Sequence, residues 1–132
     1  MLLELLCLAT NIYFEARGED LEGQIAVAEV TLNRVVSDEF PNSICDVVHQ
    51  GGENRYKCQF SWYCDGKSDI PRNKEAWNKA LDVALAYTKI KYTDITGGAL
   101  FYHSVKVAPS WAERMELTAT VGGHKFYALQ KA

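Results

Sequence analysis

A glutamate surrounded by apolar and aromatic residues is the feature of this sequence best suited to chemistry. Glu15 stands within the run NIYFEARGE (residues 11–19). On a helix, Asn11, Glu15 and Glu19 are spaced by four residues and share one face. Burial among such neighbours and a second carboxylate one turn away both disfavour the charged form, so both raise the pKa of Glu15. A carboxyl group that keeps its proton near neutral pH suits a general acid, and we predict that role for Glu15.

A surface glutamate is the alternative interpretation of Glu15. Its carboxylate would then pair with Arg17 or lie beside the turn at Gly18. Carboxylates with perturbed pKa values also occur in structural networks, so the spacing alone leaves both interpretations open.

The composition predicts one globular domain. The chain has 132 residues, of which 48% are hydrophobic and 23% are charged, and its formal charge is −3. We expect residues 1–132 to form a single, monomeric domain around one core. Lys and Arg are never adjacent, so we do not expect a nucleic-acid surface or an anionic-membrane patch. No stretch approaches the roughly 20 apolar residues of a membrane span, which argues against stable membrane insertion.

The order of predicted elements indicates an α+β fold that is mainly α, with a small β or irregular insertion. Hydrophobic spacing predicts four helices: residues 2–17, a helix capped by Asp20 that ends near Phe40, a short helix capped by Asn42 or Ser43, and a helix from Pro71 to about Lys91. Other local patterns predict an aromatic strand at residues 58–64, a helical turn at residues 110–113, and a hairpin of residues 118–121 and 124–127 around Gly122-Gly123.

Four cysteines are present. Cys7 is predicted to be a small buried hydrophobe of the first helix. Cys58 and Cys64 bracket a short loop and could close it, with Cys45 as a competing partner, and the sequence cannot choose among the pairings. No Cys or His spacing is typical of a zinc site, so we expect neither a metal nor another cofactor.

Three segments outside the predicted long helices combine aromatic rings with amide or hydroxyl groups: residues 59–62, 101–104 and 123–127. A sugar ring has an apolar face and a polar rim, which such segments suit. Core packing at strand edges is the alternative for each segment alone. Together with an apolar-embedded Glu15, the three segments favour a saccharide-binding cleft.

A series of short motifs follows one order along the chain. They are IYFEARGE (12–19), GQIAVA (23–28), LNRV (32–35), FPNSIC (40–45), VV (47–48), CQFSW (58–62), TGGALFYH (96–103) and GHKFY (123–127). Through them the chain resembles the spore cortex-lytic (SleB/CwlJ-type) family of cell wall hydrolases. The resemblance implies a lysozyme-like catalytic domain that cleaves peptidoglycan between N-acetylmuramic acid and N-acetylglucosamine. It also implies that Glu15, in the EARGE motif, is catalytic.

The expected mechanism starts with proton transfer from Glu15 to the glycosidic oxygen. A hydrolase would normally add a second carboxylate, but Glu19 is one helical turn away and cannot readily face the opposite side of the sugar. Asp65 and Asp94 are further options that the sequence does not place. The resemblance suggests a lytic transglycosylase instead, in which a hydroxyl of the substrate captures the cation, and we favour that outcome over a hydrolytic muramidase.

Two other functions are kept as alternatives: a non-catalytic peptidoglycan-binding module, and a metal-dependent amidase that uses His49, His103 and His124. No pair of these histidines has the spacing of metal ligands.

Supporting roles fall on residues of the aromatic segments and of the EARGE motif. We expect Glu19 to tune Glu15 or to orient the loop after Gly18, and the other residues to contact peptidoglycan glycan strands. Tyr102 and Tyr127 are also expected to line the cleft and to orient Glu15. The predicted substrate-binding set is Glu19, Gln59, Ser61, Trp62, Tyr102, His103 and Tyr127. Trp62 is either a sugar platform or a core residue, and a structural role is the alternative for His103.

No export signal is evident, because residues 1–9 are apolar but carry Glu4 and lack a basic flank and a cleavage site. They are predicted to form a core helix. A wall lyase of this kind fits a phage endolysin that is made in the host cytoplasm and reaches the cell wall at lysis. A bacterial protein without its leader is the alternative. Outside the reducing cytoplasm, a Cys58–Cys64 disulfide becomes possible.

Overall fold

Helices form most of the chain up to residue 89, and a small sheet follows. The computed structural model describes residues 2–54, 56–89 and 94–129. The helices are α1 (Leu2–Ala16), α2 (Leu21–Val36), α3 (Ile44–Val48) and α4 (Lys74–Lys89), and the strands are β1 (Phe101–Ser104), β2 (Met115–Val121) and β3 (His124–Leu129). Two 3-10 turns cover Ser61–Cys64 and Ser110–Arg114. The predicted α+β class, mainly α, is confirmed. None of the described helices is long and apolar enough to cross a membrane.

α2 lies between the other long helices and the sheet. Ala28 packs with Ile12 of α1 and with residues of α4. Ala26 and Val30 pack instead with Phe126 of β3. Because α2 is buried on both sides, it connects the helical layer to the sheet and sets where the end of α1 meets β1.

Helix caps agree with the sequence at two positions. The Asp20 carboxylate accepts a hydrogen bond from the backbone N–H of Gly23 at 3.0 Å and begins α2. The Ser43 hydroxyl accepts from the N–H of Asp46 at 3.2 Å and begins α3. Each side chain satisfies a backbone donor that has no partner within its helix.

Three predicted helix ends are wrong. α1 ends at Ala16, α2 ends at Val36, where Ser37 takes an extended conformation, and α4 begins at Lys74. The Asn73 carbonyl oxygen Oδ1 accepts from the N–H of Ala76 at 3.0 Å, so Asn73, not Pro71, begins α4. The predicted end near Lys91 lies outside the described residues.

The three strands form an antiparallel sheet in the order β1-β3-β2. The predicted hairpin is confirmed, and Gly122 in its turn has a φ of +55°, which glycine adopts without strain. The 3-10 turn at Ser110–Arg114 confirms the predicted helical turn. Tyr102 of β1 pairs in register with Phe126 of β3, which fixes Tyr102 on the part of the sheet that packs on α2.

Two adjacent residues of α2 hold the segment that leads into β1. The Asn33 amide donates to Oδ2 of Asp94 at 2.9 Å and to the carbonyl of Ala99 at 3.0 Å. The Arg34 Nε–H donates to the carbonyl of Leu100 at 2.7 Å. The position of β1 is therefore set by side chains of a helix as well as by strand pairing.

The predicted aromatic strand at residues 58–64 is wrong. Cys58 and Cys64 form a disulfide, and the segment folds back on itself into the 3-10 turn at Ser61–Cys64. Phe60 and Trp62 both point into a core cluster. The cross-link closes the segment over a short loop, so it cannot extend as a strand.

The interpretation of Cys7 as an isolated hydrophobe is also wrong. Cys7 is buried, but it forms a disulfide with Cys45, whose Cα lies 5.2 Å away. The Glu4 carboxylate reinforces the same contact by accepting the N–H groups of Ile44 and Cys45 at 3.0 and 3.1 Å. α1 and α3 are therefore joined covalently and by hydrogen bonds.

Candidate active site

Glu15 lies in the last turn of α1, and its half-buried carboxylate meets the sheet. The Tyr102 hydroxyl on β1 donates a hydrogen bond to Oε1 of Glu15. Burial raises the pKa of Glu15, while the hydrogen bond from Tyr102 and the electrostatic influence of His124 and Arg34 oppose the rise. Burial also raises the pKa of Tyr102 well above its ordinary value, so Tyr102 keeps the proton that it donates. The raised pKa expected for Glu15 is confirmed, with burial as its cause.

Glu19 does not act on Glu15 as a neighbouring carboxylate on one helix. α1 ends before Glu19, and its carboxylate oxygen Oε1 accepts the N–H of Gly123 at 3.2 Å. The same oxygen lies 2.8 Å from Nδ1 of His124. The predicted common helical face is wrong because the chain turns at residues 17–19, and Glu19 is not among the groups that raise the pKa of Glu15.

An open groove of about 500 Å³ contains Glu15 in its wall. Two predicted substrate-binding residues, Ser61 and Trp62, line the same groove. The remaining lining residues are Tyr13, Phe14, Arg17, Asp65, Lys67, Ser68, Ile70 and Arg72. The groove thus offers a carboxyl group, hydroxyl groups, aromatic surface and three cationic side chains, which suit a polar ligand with apolar faces.

Trp62 is a wall of this groove and a member of the core at once. Its side chain is 7% exposed and stacks on Phe14, with ring centroids 4.9 Å apart. The indole N–H donates to Oδ1 of the fully buried Asn11 at 2.8 Å. Asn11 therefore faces inward, and its role is to satisfy the indole N–H.

A second pocket of about 430 Å³ has Tyr102, the hydrogen-bond partner of Glu15, in its lining. Gln59 lines it too, together with Arg34, Phe101, Trp111 and Met115. Gln59 is exposed, so its amide is available to a ligand there. The structure therefore divides four of the predicted substrate-binding residues between two spaces, Ser61 and Trp62 in the groove and Gln59 and Tyr102 in the second pocket.

His103 and Tyr127 form a separate pair on the sheet. Nε2 of His103 lies 2.8 Å from the hydroxyl of Tyr127, and the two rings are stacked. Trp111 packs edge-on against both rings. Neither His103 nor Tyr127 lines the groove or the second pocket, which is consistent with the structural alternative for His103.

The two further carboxylates considered for catalysis have different positions. Asp94 accepts hydrogen bonds from Asn33, Thr96 and Gly98, which lower its pKa against the effect of burial. It is therefore a structural carboxylate of the segment before β1. Asp65 lines the groove that contains Glu15.

Arg34 is a residue of the site that the sequence analysis did not single out. Its guanidinium lies against the rings of Phe40, Phe60 and Phe101, at 4.7, 5.0 and 5.4 Å from their centroids. Burial lowers its pKa to about 10, so it stays charged at neutral pH. The signal in the sequence was a charged residue beside the apolar residues of the LNRV motif, the same kind of signal that identified Glu15.

The histidines considered for a metal-dependent amidase have separate partners. His49 stacks on Tyr63, His103 contacts Tyr127, and His124 contacts Glu19. Within the described part of the chain, the one group of three side chains close enough to share an ion is Glu4, Cys7 and Cys45. Both of its thiols are used in a disulfide.

Comparison with known proteins shows the family of this chain. The profile of the Cell Wall Hydrolase family matches residues 18–127. The chain belongs to the cell wall hydrolase family. A spore cortex-lytic enzyme of Bacillus cereus is 34% identical to this chain over 120 residues, which are 90% of this chain and 42% of that protein. A spore cortex-lytic enzyme of Bacillus subtilis is also 34% identical, over 35% of its length. The chain therefore spans less than half of the length of these curated relatives.

Solved structures agree with this assignment. The catalytic domain of the Bacillus cereus SleB protein matches with a TM-score of 0.73 and 30% identity, over 97% of this chain and 91% of that chain. The catalytic domain of the germination-specific lytic transglycosylase SleB from Bacillus anthracis matches with a TM-score of 0.71 and 31% identity, over 95% and 93% of the two chains. The family resemblance and the lysozyme-like fold predicted from the motifs are confirmed.

Proposed function

We propose that this protein is a lytic transglycosylase that cleaves peptidoglycan between N-acetylmuramic acid and N-acetylglucosamine. The observation that carries the proposal is the environment of Glu15: a carboxyl group with a raised pKa, in the wall of an open groove, held by Tyr102. The similarity to the germination-specific lytic transglycosylase SleB supports the same reaction.

Glu15 acts first as an acid and then as a base. Its proton passes to the glycosidic oxygen, the bond to the leaving sugar breaks, and positive charge develops on the muramoyl ring. A hydroxyl of the same muramoyl residue then forms a bond to the charged carbon. The ionised Glu15 takes up the proton of that hydroxyl, which leaves an anhydro-muramoyl end and restores the acid.

Substrate contacts are assigned to the side chains around this centre. Ser61 and Trp62 line the groove beside Glu15, and Gln59 and Tyr102 line the second pocket. We propose that a glycan strand passes along both spaces, with its scissile bond at the Tyr102–Glu15 pair. Hydroxyl and amide groups of Ser61 and Gln59 then meet the acetamido groups, and Trp62 offers the part of its ring that the groove exposes.

The test is the Glu15→Gln variant on purified sacculi. Release of soluble muropeptides should fall on the order of 10²–10⁴-fold, because glutamine cannot donate the proton. Glu22→Gln, at an exposed position of α2, is the matched control and should retain activity. Both variants should unfold cooperatively on heating, and their co-sedimentation with sacculi should be unchanged. A Glu15→Gln variant with near wild-type activity contradicts the assignment, and a wild-type protein that binds sacculi without releasing products indicates a binding module.

Hydrolysis is the second candidate, and the position of Asp65 in the groove of Glu15 favours it. A base at Asp65 would activate a water molecule, and the products would carry reducing ends. Mass spectrometry of the released muropeptides separates the two reactions. Anhydro-muramoyl ends that persist in Asp65→Asn support the lytic transglycosylase, whereas reducing ends that disappear in Asp65→Asn support the hydrolase.

A further inference from the structure

The guanidinium of Arg34 is buried, and some of its N–H donors have no hydrogen-bond acceptor. The side chain is 4% exposed, and Nε–H donates to the carbonyl of Leu100. Nη1 is buried and has no hydrogen-bond partner. Across the described ranges, no carboxylate forms an ion pair with Arg34.

Aromatic contacts account for only part of this arrangement. The rings of Phe40, Phe60 and Phe101 stabilise the positive charge. A ring face is not an acceptor for the N–H groups of Nη1, and burial of an unpaired donor on a charged group is strongly unfavourable. A purely structural arginine would be expected to use its donors within the protein.

Arg34 also forms part of the wall of the second pocket. The space of about 430 Å³ that it lines with Gln59 and Trp111 includes Tyr102, whose hydroxyl contacts Glu15. A sugar seated there would therefore contact Tyr102, the hydrogen-bond partner of the proposed acid. Its substituents would meet a guanidinium, an amide and an aromatic ring, which suits an oxygen-bearing group on an otherwise apolar ring face.

We propose that this pocket binds the lactyl group of N-acetylmuramic acid, with a carboxyl-derived oxygen of that group accepting hydrogen bonds from Arg34. The inference rests on the proposed function, since it takes the substrate to be peptidoglycan. Both sugars of the strand carry an acetamido group, but only the muramoyl sugar also carries a lactyl group, whose carboxyl-derived oxygen is an additional acceptor. A guanidinium with an unpaired donor therefore distinguishes the muramoyl sugar from N-acetylglucosamine, and Arg34 is a residue that determines specificity.

Two sources of this oxygen are possible, a free carboxylate and the carbonyl of an amide formed with a peptide. Three disaccharides distinguish them: N-acetylglucosaminyl-N-acetylmuramic acid, its lactyl amide, and di-N-acetylchitobiose, which has no lactyl group. Affinities are measured by NMR titration. The wild-type protein should bind one or both muramoyl ligands roughly tenfold or more tightly than chitobiose, as expected for hydrogen bonds to a charged donor. Equal affinity for all three ligands overturns the proposal.

The Arg34→Gln variant should lose this preference, and Arg114→Gln, at an exposed arginine that lines neither the groove nor the second pocket, should keep it. Because Arg34→Gln removes buried contacts and can fail to fold, a second measurement uses the wild-type protein. The guanidinium resonances of Arg34 should shift on addition of the muramoyl ligand and stay in place with chitobiose. Unmoved resonances overturn the proposal even if the variant is unfolded.

Failure of this inference is distinguishable from failure of the proposed function. If Glu15→Gln is inactive on sacculi while folded Arg34→Gln keeps the muramoyl preference, only the assignment of the pocket is wrong. If Glu15→Gln is active while Arg34→Gln loses the preference, the pocket assignment stands and the role of Glu15 is wrong.

Discussion

Oε1 of Glu19 lies 2.8 Å from Nδ1 of His124 and accepts the N–H of Gly123 at 3.2 Å. This contact joins the turn after α1 to the hairpin of β2 and β3. Glu15 lies at the end of α1, and Tyr102 lies on β1, which pairs with β3. Glu19 therefore connects the two parts of the fold that bring the acid and its hydroxyl partner together, and we expect it to be a positioning residue.

Replacement of Glu19 by alanine should destabilise the protein and disturb the site. The loss of hydrogen bonds to a charged acceptor should lower the free energy of unfolding by about 1–3 kcal/mol. The expected kinetic signature is a fall in kcat with a smaller change in KM, because the acid is displaced while most substrate contacts remain. Glu116→Ala, at an exposed position of β2, is the control. Equal stability and equal kcat in the two variants would refute the positioning role.

The raised pKa of Glu15 predicts the direction of two pH dependences. The acid must be protonated, so activity should decline as pH rises through the raised pKa. The folded state favours the protonated form, so the contribution of Glu15 to stability is complete below the ordinary pKa of a glutamate and is lost as pH rises through the raised value. Melting temperatures between about pH 4 and about pH 9 check this. The decline should be smaller in Glu15→Gln, and an identical decline in both proteins would exclude Glu15 as its source.

The Tyr102→Phe variant should shift the alkaline limb of the activity profile to higher pH. The hydrogen bond from Tyr102 lowers the pKa of Glu15, so its removal lets burial raise that pKa further. Stability should fall by about 1 kcal/mol, as for one lost hydrogen bond. Tyr127→Phe removes a hydroxyl that contacts His103 instead and should leave the limb in place. A limb that stays in place in Tyr102→Phe argues against Glu15 as the titrating acid.

The two disulfides should differ in their contribution to stability. Cys7 and Cys45 are separated by 38 positions, and Cys58 and Cys64 by 6. From loop closure in the unfolded chain, the first should contribute about 4 kcal/mol and the second about 2 kcal/mol. Denaturant unfolding of the Cys7→Ala/Cys45→Ala and Cys58→Ala/Cys64→Ala double variants measures both values. The reverse order would show that native-state contacts outweigh loop length.

Local chemistry made several features predictable. Asp20 and Ser43 are residue types that favour helix N-termini, where their side chains accept a backbone N–H of the first turn. The pair Gly122-Gly123 sits at a hairpin turn where a positive φ is needed. Glu15 was identified because a carboxylate among apolar residues requires an explanation. In each case the relevant interaction is set by residues close in sequence.

Long-range contacts were not predictable in the same way. The Cys7–Cys45 disulfide depends on how α1 packs on α3, and no spacing rule specifies that. Leu21, an apolar residue at the start of α2, is 63% exposed, whereas Ala26 and Val30 of the same helix are fully buried. α2 buries two sides because a sheet from the end of the chain covers it, which a single-helix pattern cannot reveal.

Trp62 lines the groove that contains Glu15, and its hydrogen bond to Asn11 and its stacking on Phe14 make it part of the core. The burial that raises the pKa of Glu15 belongs to the folded domain itself. In the proposed mechanism, this part of the desolvation of the acid takes place once, as the chain folds, and need not be repeated each time a glycan arrives. Every turnover would then start from a proton donor that is already prepared.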